Sequence, residues 1–264
     1  SDDLTAGAHT GDEGWTGNVL IGSSASDLLT GGDNQGGAGW TGDVLVGAEA
    51  GIVVQAGNNT GTEGWAGNVL VGVGQGVMLQ GGVNEMIQGR SGDVVVGVGD
   101  NIVIDGGINS SAPEWSGNVI VYMGAGGNVT GAENRGASEW HGDLLLAPGS
   151  SNTLQGGRNV GDGKASGSLL VGLEGANSFI GSENGGGIFF NGDLILGLGG
   201  DNDVQTGTNL GGGYFNGSII VVADGNNSVS TLPASERPFS FNVVLAADEN
   251  NQCATSGDLV VGCN

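Results

Sequence analysis

The chain has 264 residues, 59 of them glycine, and carries 28 Asp+Glu against 5 Lys+Arg for a formal charge of −23. Such acidity opposes binding to a nucleic-acid backbone or an anionic membrane surface, and the glycine content is far from that of an ordinary globular domain. No apolar run reaches the roughly 18–20 residues of a membrane helix, so no membrane insertion is expected.

The sequence opens SDDLT, with no initiator Met and no basic-then-apolar leader, as a processed secreted protein or a trimmed chain would. Residues 1–15 form a half-repeat, because LTAGAHTGDEGW (4–15) aligns with LTGGDNQGGAGW (29–40). Residues 16–232 then repeat every 25 positions: GWTGNVLIG (14–22) returns as GWTGDVLVG (39–47), GWAGNVLVG (64–72) and GRSGDVVVG (89–97). One period running through almost the whole chain argues for a single continuous body.

Stacked at this period, the sequence forms columns. A glycine column runs from Gly17 to Gly217 and is followed by aliphatic triplets; a second apolar segment is centred on Leu29, Val54, Leu79 and their successors. Short aliphatic runs separated by Gly, Asn, Asp and Ser are strands and turns, whereas glycine every few residues costs a helix up to about 1 kcal/mol each. The expectation is all-β: a parallel β-solenoid (β-helix) of 25-residue coils with two or three short sheets. It would have about 10 coils and be roughly 50 Å long at the inter-strand spacing.

Two columns read as structural ladders. Asn34, Asn59, Asn84, Asn109, Asn134, Asn159, Asn184 and Asn209 occupy one position in successive coils, where amides can bond along the axis and satisfy turn amides. Trp15, Trp40, Trp65, Trp115 and Trp140 form an aromatic column, with Arg90 placed to lie between Trp65 and Trp115; the competing reading is a platform for sugar rings. The residue after each glycine alternates, Asn18, Asp43, Asn68, Asp93, Asn118, Asp143, so that Asp never stacks on Asp. Carboxylates about 4.8 Å apart would repel, and an amide between them is expected to donate to both. Glu133, Arg158 and Glu183 alternate by charge, while Glu114 and Glu139 share a register.

The triplet strands are apolar on both faces, Val19 and Ile21 on one and Leu20 on the other, so the outward face calls for cover from another part of the coil or a second subunit. From residue 233 to 264 the period breaks, with Pro233, Pro238 and Cys253, before SGDLVVG (256–262) repeats the wall once more. Cys253 and Cys263 can close one disulfide in an oxidising compartment, or remain as two thiols. A C-terminal half-coil and an N-terminal half-coil, joined head to tail, make nearly one repeat.

The turns GVGDNIVIDGG (97–107), GLGGDNDVQTG (197–207) and SSASDLLTGG (23–32) resemble the haemolysin-type calcium-binding nonapeptide of secreted β-roll proteins. The resemblance implies calcium held between coils, with Asp27, Asp100, Asp201 and Asp203 as the positions that match. More broadly the chain resembles Gly-rich β-solenoid surface proteins, adhesins and extracellular fibres. Catalysis finds little material: His9, His141 and Lys164 stand apart, and no basic cluster matches that of polysaccharide lyases. The column through Thr30 reads Thr, Gln, Gln, Asp, Thr, Gln, Ile, Gln, Ser, which argues against an ice-binding threonine array.

The expectation is therefore a non-enzymatic structural subunit of an extracellular filament, polymerising with itself head to tail by strand addition. A monomeric adhesin or carbohydrate-binding rod is the alternative, and a polysaccharide-active enzyme the third reading.

Overall fold

The computed structural model describes residues 1–12, 14–33, 35–36, 40–60, 63–85, 88–90, 92–110, 114–136, 139–186, 189–210, 214–231, 242–255 and 258–263. Among them there is no helix long and apolar enough to cross a membrane. The chain is a parallel β-solenoid, each coil hydrogen-bonded to the next along one axis.

Among the described residues four sheets make the walls, one more than the widest expectation from sequence. In chain order within a coil, the first is 11-stranded and runs from Asp3–Thr5 through Leu28–Thr30 to Gln252–Ala254. The second has 6 strands, Val83–Asn84 to Thr208–Asn209, and the third 9, Trp15–Thr16 to Tyr214–Asn216. The fourth is 11-stranded, from Val19–Gly22 to Leu259–Val261. Strands of two residues in the second sheet explain the difference: the Asn column is itself a short wall rather than a turn.

Register follows the sequence period, Val19 opposite Val44 and Leu29 opposite Val54. The last turn departs from it. Val244 pairs with Val260, only 16 residues on, and the strand between them, Gln252–Ala254, belongs to the first sheet. Only four residues, 255–258, separate this first-sheet strand from the fourth-sheet strand Leu259–Val261, so the expected half-coil reaches both sheets in a shortened turn. A Cys253–Cys263 disulfide ties the strand Gln252–Ala254 to the residues just past Leu259–Val261.

Alternation along each strand sends side chains in and out by turns. Leu29, Val54, Leu79 and Ile104 from the first sheet meet Leu45, Leu70, Val95 and Ile120 from the fourth in one buried apolar lane. A smaller cluster of Ala132, Trp140, Ala165 and Phe190 lies under the third sheet. One coil exchanges its volumes: the wholly buried Tyr122 stands in register with Gly97, and within its own coil Gly127 makes room for it. The Tyr122 hydroxyl donates to the Ala125 carbonyl at 2.9 Å.

Between the fourth and first sheets the chain turns through a column of left-handed residues that includes Ser26, Asn101, Ser151, Ala176 and Asp201 with φ near 60°, and Gly74, Gly99 and Asp224 add a second positive φ in their coils. That column explains the Gly, Asn, Asp and Ser found there, since other residues adopt this conformation at a cost.

Candidate functional site

The alternating column is the most polar part of the interior. Asp43, Asn68, Asp93, Asn118, Asp143, Ser168 and Asp193 are all at most 2% exposed. Each reaches toward the preceding coil, but mainly through backbone amides: Asn68 N–H donates to Asp93 Oδ1 at 2.6 Å, Asp93 N–H to Asn118 Oδ1 at 2.7 Å, and Asn118 N–H to Asp143 Oδ1 at 2.7 Å. The expectation that each amide donates to the carboxylates on both sides is corrected. Asn68 Nδ2 donates to Asp93 alone among these, at 3.3 Å, and Asn118 Nδ2 donates instead to the Gly106 carbonyl at 2.6 Å.

The second carboxylate oxygen is held by the corner of its own coil. In Asp coils it accepts a backbone N–H from the corner eleven residues earlier, Gly32 for Asp43, Gly82 for Asp93, Ala132 for Asp143 and Ser182 for Asp193, at 2.6–3.1 Å. In the Asn118 coil the same corner presents a carbonyl, and Gly107 takes φ 80°. At Asn118 the donor side chain thus meets the opposite face of that peptide, whereas in the Asn68 coil Nδ2 bonds Asp93 and Gly57 takes no left-handed φ.

Burial pushes the Asp143 carboxyl up to about 7, against the opposing effect of the Asn118 and Ala132 N–H groups, and raises Asp193 as well. A folded-state value above the unfolded one favours the protonated fold. The stabilisation is full below about pH 4 and is lost as pH rises through about 7. Thermal unfolding is therefore expected at a lower temperature at pH 8 than at pH 5, with a smaller drop in Asp143→Asn. A melting temperature that is flat over this range, or falls equally in the variant, contradicts this assignment.

In the second sheet, Asn134 Nδ2 donates to Asn159 Oδ1 at 2.8 Å, Asn159 to Asn184 at 2.7 Å and Asn184 to Asn209 at 2.6 Å. Asn134 Oδ1 also accepts the Gly136 N–H at 3.0 Å, closing the turn. Asn59 is buried, Asn84 and Asn109 share the register, and the side chains of Asn84 and Asn109, with all of Asn34, lie outside the described residues. His9 heads the column, half-buried.

A second amide column went unread in the sequence. Asn152, Asn177, Asn202, Asn227 and Asn251 are buried, and each accepts a backbone N–H from the coil before, for instance Asn152 N–H to Asn177 Oδ1 at 2.9 Å. The signal was an Asn at four successive multiples of the period, which looks the same as a turn column until the inward direction is known. Asp27 occupies this position near the start and accepts Asp2 N–H at 2.7 Å, which holds its carboxyl below the usual range.

The other calcium positions are not brought together with it. Asp100 accepts Ala125 N–H at 3.0 Å on the surface, Asp201 is a left-handed corner residue, and Asp203 lies exposed between Ser178 and Ser228. Among the described residues no group of three or more His, Cys, Asp or Glu side chains converges as a metal site would.

Trp15, Trp40 and Trp65 follow one another in register, as do Trp115 and Trp140, with Arg90 between Trp65 and Trp115. Trp140 is 1% exposed and Phe190 fully buried, so neither offers a ring face to a sugar; the side chains of the other four tryptophans and of Arg90 lie outside the described set. Arg158 bridges Glu133 at 3.6 Å and Glu183 at 3.2 Å, and Lys164 lies 4.0 Å from Glu139, whose register neighbour is Glu114. These pairs are exposed and contribute little stability.

The outward side of the fourth sheet has a different character. Val19, Ile21, Val94, Val119, Leu194 and Ile219 are 38–69% exposed, and no other part of the described coil covers them. Beside them runs a third outward apolar column that includes Val73, Met123, Leu173 and Leu198, 40–47% exposed. Against this geometry, no family model, curated protein or solved structure matches the chain.

Proposed function

We propose that this chain is a structural subunit of an extracellular filament, in which copies add end to end along the solenoid axis. The observation that supports this most is the pair of open edges at each end of the described stack. Asp3–Thr5 and Val19–Gly22 stand at one end of the first and fourth sheets, Gln252–Ala254 and Leu259–Val261 at the other. The edges belong to the same two sheets, and all neighbouring strands in them are parallel, so a second copy can extend both sheets with the pairing they already use.

None of these four strands carries a proline or lysine of the kind that blunts an edge. The disulfide braces the strand Gln252–Ala254 against the residues just past Leu259–Val261 and suits an oxidising, extracellular compartment.

Ala6 N–H donates to Thr30, and by the alternation of a parallel ladder the Thr5 N–H points away from the stack. Thr5→Pro therefore removes an edge donor without breaking a bond inside the chain. Electron micrographs of the purified chain should show rods that lengthen with concentration, and Thr5→Pro should melt normally yet stay short. Uniform short particles from the parent chain, or unchanged growth of Thr5→Pro, would sink the proposal.

A further inference from the structure

The outer face of the fourth sheet is apolar over its entire length. One column runs from Val19 to Leu259 and the next from Ile21 to Val261, eleven strands each, and every member of both is Val, Leu or Ile. The adjoining third column contributes Val73, Met123 and Leu198. None of the 33 acidic and basic side chains falls in these columns, although the chain carries a net −23. Random placement of so many charges would not leave one face empty, so the vacancy is itself a specification of what that face meets.

We propose that this face is the contact through which a second copy of the same chain packs, sheet against sheet and side by side. Two full columns on eleven rungs of about 4.8 Å, with a partial third, at about 7 Å between columns, make a patch of roughly 800 Å². Two such patches bury about 1,600 Å², the size of a standard stable interface. Flat arrays of β-branched and aliphatic side chains interdigitate in face-to-face sheet packing, at about 10 Å between sheets, without polar groups to satisfy.

Other occupants fit the face less well. A lipid surface would meet no cation here to pair with its phosphates, and a saccharide would meet no aromatic ring and no hydrogen-bonding side chain but the Ser23 hydroxyl at one end of the third column. The contact is lateral, so it shares the solenoid with the filament reading but does not depend on joining at the ends.

Sedimentation velocity on the intact chain tests it. The parent chain of 25.9 kDa should appear as a species of twice that mass, favoured by added salt as the like charges outside the contact are screened. Val94→Lys with Val119→Lys should weaken pairing by more than about tenfold. Lysine lowers the net negative charge, so the loss comes from burying an unpaired cation and not from added repulsion. Val94→Thr with Val119→Thr keeps the branched shape and should weaken pairing less, which guards against misfolding of the lysine variant. Thr130→Lys, on the outward side of the first sheet, should pair as the parent does.

A parent chain of single mass even at high salt overturns the inference, as does undiminished pairing in the folded lysine variant. Thr5→Pro should fail to elongate yet still pair, so that failure of the filament reading and failure of the lateral contact are seen separately.

Discussion

An Asp143→Ala chain is expected to lose about 2–5 kcal/mol of stability at neutral pH, because two buried backbone donors lose their acceptor at about 1–3 kcal/mol each. They are Asn118 N–H, 2.7 Å from one carboxylate oxygen, and Ala132 N–H, 2.8 Å from the other. Asp143→Asn should recover only part of this loss. Its amide oxygen can still accept from Asn118, but its nitrogen is then turned toward the Ala132 N–H, donor against donor.

The Asn118 coil shows the remedy, a corner peptide turned so that Gly106 offers its carbonyl while Gly107 adopts φ 80°. Alanine at the equivalent position pays about 1–2 kcal/mol for that conformation. Ala132→Gly should therefore destabilise the parent slightly and rescue Asp143→Asn, with a coupling of about 1 kcal/mol in chemical denaturation. Strict additivity of the two substitutions would show that corner and column are not matched as described.

Gly117→Ala should be at least as damaging. A Cβ there would meet the Gly142 carbonyl oxygen of the next coil and lie 2.5 Å from the His141 carbonyl oxygen. Backbone cannot yield as a flexible side chain can, so the cost is expected to exceed the usual 1–3 kcal/mol or so of an overpacked core. Since Gly117 lies mid-stack, the break should also separate the rod into two unfolding units, as expected where stability is transmitted only between neighbours. A single unshifted transition in calorimetry would contradict the close approach of coils at the glycine column.

Most of the fold was legible because the solenoid turns sequence period directly into register: Val44 lies over Val19 and Asn159 over Asn134 with no long-range choice to make. Direction was harder. Asn152 and Asn177 repeat as regularly as Asn159 and Asn184, yet whether a corner residue points inward depends on where the preceding strand ends, and glycine-rich corners leave that undefined. The outward column of Val73, Met123 and Leu198 was missed for the same reason, lying one alternation beyond the triplets.

The shortened last coil was visible only as a broken period, because the four residues 255–258 leave no pattern to match. The face that bears on function was partly legible: Val19 and Ile21 already faced away from Leu20, but only the coils themselves show that none of the described residues folds back to cover them. The alternating Asn and Asp residues marked the repulsion that had to be avoided. Their true partners are backbone amides, invisible to any comparison of side-chain types.

Small-angle X-ray scattering over a concentration series tests the central claim most directly, since it reads rod length and cross-section independently. End joining predicts a maximum dimension that grows beyond the roughly 50 Å of one stack, and packing through the fourth sheet predicts a cross-section that doubles in area. A length and cross-section that both stay those of one rod at every concentration and salt level would contradict it.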